Sequence, residues 1–230
     1  MENYFNYGKI KQYLKNPTVR TAIAVSAWLL IFLFVFWLIR LFSVPRYYRT
    51  VKPVSDGQVS LYLTNYILPE LHNKSQYGQP FDLVISQNGV NDIITRHIDA
   101  NSLQRSGFSD LSITFKKDKI LLTGKTSYWG FDFITTVVLR PYIDKKGYFH
   151  PGASKIQVGK SRLPFAVEIV KRKIFYKLAS LSDDSNIAGV IGILFSGDKT
   201  EPVFTLNHTT LRIEKITVRN REITVSFLPQ

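Results

Sequence analysis

The sequence predicts an α+β protein with an N-terminal transmembrane helix. After this helix we expect a curved antiparallel sheet of about six or seven strands, packed on two or three helices. Three observations support the prediction: a charge-free apolar run near the N-terminus, stretches with helical spacing, and apolar alternation with a period of two in the middle and at the end of the chain. Of the 230 residues 45% are hydrophobic, which excludes a disordered chain and suffices for a sizeable core.

The first element is a membrane anchor. Residues 21–39 read TAIAVSAWLLIFLFVFWLI and carry no charge, and Arg20 and Arg40 flank them. At about 1.5 Å per residue this run nearly spans a hydrocarbon core of about 30 Å, and the residues up to 44 extend it. A cleaved signal peptide is disfavoured because the only A-x-A-like stretch lies inside the apolar run. We therefore expect an uncleaved anchor.

The anchor divides the chain into four predicted parts. These are an N-terminal tail (1–20), the transmembrane anchor (21–44), a tether (45–57) and a single α+β domain (58–230). Four basic residues precede the span, and four follow it within residues 40–52, so the positive-inside rule does not decide the orientation. We expect the large C-terminal domain on the extracytoplasmic side, which is a common plan for a single N-terminal anchor. Trp37, Tyr47 and Tyr48 suit an aromatic belt at the second membrane boundary.

The first part of the domain mixes helical and strand patterns. Apolar residues with helical spacing predict a helix over 58–68, and Pro69 marks its end. Alternation over 81–85 predicts a strand. Asn88 and Gly89 then open a second helix, whose apolar residues lie on one stripe.

The middle of the domain predicts an antiparallel meander of about four strands, between residues 108 and 160. Short turn sequences separate the strands. The strand at 131–139 is apolar on both faces, so both of its faces must be covered, by helices, by a second sheet or by a bound apolar ligand.

The last part of the domain predicts one more helix and a closing hairpin. A helix begins at Pro164, a favourable first-turn residue, and runs to about residue 178. Residues 187–195 are almost wholly apolar but too short to span a membrane. The chain ends in two strands, 211–218 and 222–228, which turn at Asn220 and Arg221.

Catalysis and bound cofactors are not indicated. The chain has no cysteine, which excludes disulfides, thiolate metal sites and a thiol nucleophile. It also lacks the phosphate-loop, nucleophile-elbow, zinc-protease and dinucleotide motifs. The aromatic residues follow strand periods without the aromatic and basic interleaving of an RNA-binding sheet. We therefore expect a protein that is not an enzyme, that needs no cofactor or metal and that does not bind nucleic acid.

Three passages resemble small membrane-anchored bacterial proteins that are similar to the tubular lipid-binding (TULIP-like) proteins. Residues 81–94 (FDLVISQNGVNDII) look like a strand followed directly by a helix. Residues 156–164 (IQVGKSRLP) look like the junction between a strand and a long helix, and the strands at 213–218 and 223–227 are similar to a closing hairpin. The resemblance implies a curved sheet wrapped on a long helix, with an apolar groove for acyl chains.

Two function hypotheses remain open at this stage. The first is a lipid-binding module at the bilayer, whose apolar groove takes a lipid or acyl chain and whose basic rim meets the headgroup. The second is a structural or assembly protein that docks another envelope protein through its sheet and basic helix. The residues 45–230 carry 25 basic and 16 acidic residues, a net charge of +9, which suits an anionic surface or a solvated basic one.

The lipid hypothesis names two sets of candidate residues. The groove candidates are Phe133, Val137, Ile169, Phe175 and Ile191. The basic rim candidates are Lys171, Arg172 and Lys177.

Overall fold

The protein has the α+β class that the sequence predicts. The computed structural model describes residues 16–50, 59–97, 108–128, 130–162, 199–206 and 209–230. The chain divides into two compact units, Met1–Leu41 and Phe42–Gln230. Within the described residues the first unit is helical, and the second unit contains antiparallel sheets of four, five and two strands.

The elements are named here in chain order. The helices are α1 (Pro17–Phe42), a π-helix (Leu63–Ile67), α2 (Leu68–Ser75) and α3 (Gln87–His97). The strands are β1 (Phe81–Ser86), β2 (Phe108–Lys116), β3 (Lys119–Tyr128), β4 (Phe131–Leu139), β5 (Tyr142–Ile143), β6 (Phe149–His150), β7 (Ala153–Val158), β8 (Ser161–Arg162), β9 (Val203–Leu206), β10 (Thr209–Arg219) and β11 (Glu222–Pro229).

Helix α1 contains the predicted apolar run and begins a turn before it. The Thr18 N–H donates to Asn16 Oδ1 at 3.1 Å, which caps the helix, and Pro17 takes the first helical position, where no N–H is needed. At about 1.5 Å per residue its 26 residues extend about 39 Å. Among the described residues it is the one helix that is long and apolar enough to cross a membrane.

The prediction that the next helix ends at Pro69 is wrong. The chain passes through the π-helix directly into α2, which continues to Ser75. Proline lacks an N–H, and its ring clashes with the preceding turn of a regular α-helix. Here the preceding turn is the wider π form, in which the Leu68 N–H donates to Leu63 O. Pro69 thus falls in the first turn of α2, where it is tolerated.

The four-stranded sheet has the order β1-β11-β10-β9. Its β10–β11 hairpin turns at Asn220 and Arg221, as the sequence predicts. Strand β1 joins β11 over six pairs, from Phe81 opposite Phe227 to Ser86 opposite Glu222. This long-range pairing brings the start of the domain to the end of the chain.

The main apolar core lies on the four-stranded sheet. Leu83 and Leu211 are fully buried at its centre, and the π-helix adds Ile67. A Cβ at Gly89 would overlap the ring of Tyr62, the residue just before the π-helix. Glycine therefore lets α3 approach this ring closely. The complete set of buried apolar residues in this core is Ile67, Leu83, Phe115, Leu211, Val218, Ile223, Val225 and Phe227.

The five-stranded sheet has the order β2-β3-β4-β7-β8, which confirms the predicted meander. Val137 of β4 lies between Leu122 of β3 and Ile156 of β7. The four successive residues 135–138 are all buried. Successive strand residues point to opposite faces, so this strand is covered on both faces, as its apolar pattern predicts.

The described strands therefore form two larger sheets and a small hairpin, and the single sheet of six or seven strands is not seen. Several hydrogen bonds join the two larger sheets, among them those from Lys117 N–H to Asn220 Oδ1 and from Asp118 N–H to Val218 O, and three more form a ring. The Gln87 N–H donates to Arg221 O at 2.8 Å, the Arg221 N–H donates to Phe115 O at 3.3 Å, and the Phe115 N–H donates to Gln87 Oε1 at 2.9 Å. We call this ring of three residues the sheet junction.

The outer edge of β2 is covered by side chains of α3. Asn91 pairs with the backbone of Ile113 in both directions: its Nδ2 donates to Ile113 O at 2.8 Å, and its Oδ1 accepts from Ile113 N–H at 2.7 Å. One helical turn earlier, Gln87 Oε1 accepts a single hydrogen bond, from the Phe115 N–H. The spacing of four residues puts both amides on one helix face, and together they replace a neighbouring strand.

Asn91→Ala should lower the free energy of unfolding by about 2–4 kcal/mol, because it leaves the Ile113 N–H and C=O without partners. Denaturant unfolding of the detergent-solubilised protein measures the change. The control is Asn88→Ala, at an exposed position of the same helix, which should change stability by less than about 0.5 kcal/mol. Equal effects of the two variants would contradict the role of Asn91.

The β5–β6 hairpin is closed by Asp144. Its Oδ2 lies 2.9 Å from His150 Nε2, and its Oδ1 accepts the backbone N–H groups of Lys146 and Tyr148 at 2.8 and 3.0 Å. The hydrogen bond from His150, followed by that from the Tyr148 N–H, lowers the pKa of Asp144 to about 2. The hairpin is therefore built around an ionised carboxylate.

Asp144→Asn should destabilise the protein at neutral pH, and the difference from the wild type should vanish as the pH falls from about 4 to about 2. A carboxylate whose pKa is lower in the folded state than its unfolded value of about 3.9 stabilises the fold above that value, and protonation removes this contribution. Unfolding at a series of pH values tests it, with the exposed Asp82→Asn as control. A stability gap that persists at pH 2 would show that the effect does not arise from the charge.

Candidate functional site

The structure describes two of the predicted site residues. Phe133 and Val137 both lie in β4, on the same face because four residues separate them. Val137 is buried and Phe133 is half-buried, with its ring 5.0 Å from that of Phe42. The other groove candidates (Ile169, Phe175 and Ile191) and the basic rim candidates (Lys171, Arg172 and Lys177) lie outside the described residues.

The first residues of the predicted tether pack on the five-stranded sheet. The Tyr47 hydroxyl lies 3.1 Å from Thr136 Oγ1 and 3.0 Å from Gln157 Oε1. Pro45 before it is buried, and Lys116 Nζ lies 5.1 Å from the centre of the Tyr47 ring. Residues 45–50 thus form a layer over one face of the sheet.

Tyr47 therefore packs on the five-stranded sheet, a contact that the sequence alone does not indicate. Burial raises the pKa of Tyr47, which keeps its hydroxyl protonated and able to donate. Tyr47 covers the face of β4 that carries Thr136, whereas Val137 points to the opposite face. The layer formed by residues 45–50 and the predicted apolar groove are consequently on different sides of the sheet.

A basic cleft lies where this layer meets the sheet junction. Its walls are residues 46–49, the start of α3, the end of β2 and the β10–β11 turn, and its volume is about 630 Å³. Four cationic side chains line it: Arg46, Arg49, Lys116 and Arg221. Asn220 and Asn88 add polar groups to its lining. We call this space the basic cleft.

The charges of the basic cleft are not neutralised within the described part of the chain. None of the four cationic side chains forms an ion pair there, and no carboxylate lines the cleft. Arg221 has φ of 68°, a left-handed conformation that costs a non-glycine residue about 1–2 kcal/mol. Like charges brought together repel, so a bound anion would stabilise the cleft. Guanidinium groups suit phosphate in particular, because they can donate two parallel hydrogen bonds.

A second space adjoins the basic cleft and shares Arg49, Gln87, Asn88 and Thr114 with it. Its volume is about 400 Å³, and its remaining lining is mostly uncharged and polar. Asp92 is the carboxylate in this lining; it accepts hydrogen bonds from Ser60 and Arg96. We call this space the polar pocket.

Sequence reasoning found only part of this site. Arg46 and Arg49 belong to a segment noted for its basic residues, so their charge density was a signal for an anionic partner. Arg221 was placed correctly in a turn, but nothing local indicates that this turn meets β2. Lys116 likewise reads as an ordinary turn lysine. The cleft depends on long-range contacts that periodicity does not encode.

The described residues contain no group of three His, Asp or Glu side chains arranged to hold a metal ion. The ionisable groups of the basic cleft are cations, which repel metal ions and attract anions. Comparison of the chain with protein families, with curated proteins and with solved structures finds no match.

Removal of residues 1–44 should give a soluble, folded protein, because the retained residues 45–50 still cover the sheet. A form that begins at residue 51 loses the half-buried Tyr47 ring and its two hydrogen bonds, and should be less stable by about 2–4 kcal/mol. Denaturant unfolding of the two forms measures the difference. Equal stability, or an insoluble longer form, would show that residues 45–50 do not belong to the folded unit.

Proposed function

We propose that this protein is a membrane-anchored, non-enzymatic domain that binds anionic lipid through the basic cleft. The observation that carries the proposal is the convergence of Arg46, Arg49, Lys116 and Arg221 on one cleft without an ion-pair partner in the described chain. Phosphate is the anionic group that phospholipid headgroups present at a bilayer surface.

The position of the cleft in the chain supports this proposal. Arg46 follows Phe42, the last residue of α1, by four residues, so the chain carries it at most about 14 Å from that residue. A basic side chain near an anionic bilayer surface contributes about 1 kcal/mol. Four such side chains would contribute about 4 kcal/mol, which corresponds to several hundredfold in affinity.

The proposal also includes an acyl-chain site, on the face of β4 that points away from Tyr47. Val137 lies there beside Leu122 and Ile156, with Phe133 along the same strand. Each methylene buried against such a surface contributes about 0.8 kcal/mol. In this proposal the two larger sheets, joined at the sheet junction, act as one curved layer that carries headgroup and acyl contacts on different faces.

A second candidate function is the docking of another envelope protein. Strand β9 stands at one end of the four-stranded sheet in the described chain, and Val203 and Phe204 on it are exposed. Such an edge can accept a strand from a partner. This function uses a different surface from the basic cleft, so variants at the cleft separate the two.

Lipid binding can be measured by native mass spectrometry of the full-length protein in a neutral detergent. The probes are phosphatidylmethanol, which carries a plain phosphodiester anion, and phosphatidylcholine with the same acyl chains. The wild-type protein should prefer phosphatidylmethanol. Arg49→Gln combined with Arg221→Asn should reduce that binding roughly thirtyfold, from about 1 kcal/mol for each charge. Asparagine suits position 221 because it tolerates positive φ.

The matched control removes two exposed charges outside the cleft, with Lys155→Gln and Lys215→Gln together. If charge recognition is local, this control should retain nearly all of the wild-type binding. Equal binding of the two lipids by the wild-type protein would overturn the lipid function and favour the docking function.

We also propose that the large C-terminal domain faces the extracytoplasmic side. Protease added to intact right-side-out vesicles should then digest the domain without lysis, and a tag placed after Gln230 should be lost from the membrane fraction. The control is a cytoplasmic marker protein, which should survive until lysis. A domain that is protected as well as this marker would place it on the cytoplasmic side.

A further inference from the structure

Ser112 of β2 is a buried polar group that the fold leaves unused. Its side chain is 2% exposed, and its Oγ has no hydrogen-bond partner in the described part of the chain. Buried hydroxyl groups in proteins are nearly always hydrogen-bonded, and an exception calls for a physical explanation. Ser112 lines the polar pocket, so a ligand that enters this space lies beside this residue.

Three neighbouring polar side chains of the pocket form hydrogen bonds within the fold. Asn91 bonds to the backbone of Ile113, and Thr95 Oγ1 donates to Asp92 O at 2.8 Å. Asp92 itself accepts from Ser60, and its Oδ1 lies 3.0 Å from Arg96 Nε. The Ser112 hydroxyl can both donate and accept a hydrogen bond, and it is the buried group in this lining that lacks a partner in the described chain.

The chemistry of the polar pocket selects a neutral hydroxyl group. On the Asp92 side of the pocket, away from Arg49, a second carboxylate would be repelled by Asp92, and an ammonium group would compete with Arg96 for that carboxylate. A ligand hydroxyl meets neither objection, because it can exchange hydrogen bonds with Ser112 at no cost in charge. Asn88, which is exposed on the pocket rim, offers both a donor and an acceptor for a second hydroxyl.

Arg49 joins the two spaces, since it lines both the polar pocket and the basic cleft. A ligand whose phosphate lies against Arg49 in the basic cleft can therefore place a short hydroxylated tail in the polar pocket. We propose that the site takes a phosphoglycerol group, with its phosphate at Arg49 and its glycerol hydroxyls at Ser112 and Asn88. This inference rests on the proposed function and names the headgroup that the cleft selects.

The test compares two lipids of equal charge on the full-length protein by native mass spectrometry. Phosphatidylglycerol and phosphatidylmethanol carry the same phosphodiester and the same acyl chains, and differ in the glycerol hydroxyls. The wild-type protein should bind phosphatidylglycerol about tenfold more tightly. Ser112→Ala should remove this preference and leave phosphatidylmethanol binding unchanged, whereas Arg49→Gln should weaken both lipids by a similar factor.

Two further measurements keep the inference falsifiable. The melting temperature of Ser112→Ala should equal or exceed that of the wild type, because the hydroxyl has no partner to lose. Asn88→Ala should reduce the preference for phosphatidylglycerol independently.

Competition with soluble glycerol 1-phosphate identifies the source of the phosphoglycerol group. If it displaces bound phosphatidylglycerol, the headgroup alone is recognised. If it does not, the membrane lipid is required.

The outcomes separate this inference from the proposed function. Equal binding of phosphatidylglycerol and phosphatidylmethanol, both above phosphatidylcholine, would overturn the phosphoglycerol assignment and leave anionic lipid binding standing. Binding of all three lipids alike would overturn the proposed function itself. A Ser112→Ala variant with a clearly lower melting temperature would show that the hydroxyl is structural, which also overturns the assignment.

Discussion

The sheet junction is the constraint on which the rest of the domain depends. Strand β1 pairs with β11 in one sheet and leads directly into α3, whose side chains cover the edge of β2 in the other sheet. Each hydrogen bond of the sheet junction contributes about 1 kcal/mol to stability. Their arrangement also fixes how the two sheets meet. Because Gln87 bonds both to Arg221 and to Phe115, and the Asp118 N–H donates to Val218 O beside them, the β10–β11 turn is held against the end of β2.

The same constraint creates the basic cleft. Arg221 is held in a left-handed turn by its own N–H and C=O bonds to the junction, and this turn brings its side chain to the lining that residues 46–49 complete. The left-handed backbone of Arg221 and the repulsion between the cations destabilise the fold locally. The hydrogen bonds of the sheet junction and the packing of residues 45–50 must offset this. Stored strain and uncompensated charge are features that proteins concentrate at functional sites.

How far the sequence predicted the structure depended on the range of the interactions. The strands of the meander and the closing hairpin were predicted because alternation is a local property. Pro69 was misread because the π-helix before it cannot be recognised from spacing alone. The packing of Tyr47 on the sheet was not predicted because its hydrogen-bond partners, Thr136 and Gln157, lie about ninety residues or more away. The cleft was missed for the same reason, since Arg49 and Arg221 are far apart in sequence and line one space only in the folded chain.

Amide hydrogen exchange at Arg221 tests the central claim most directly. Arg221 lies in a hairpin turn, where an N–H open to water would exchange as fast as that of Gly130 in the β3–β4 turn. If its N–H donates to Phe115 O and holds the two sheets together, its protection should approach that of Leu121 in the centre of the five-stranded sheet. Protection close to that of Gly130 would mean that the sheets are not joined at this point, and it would contradict our account of both the fold and the cleft.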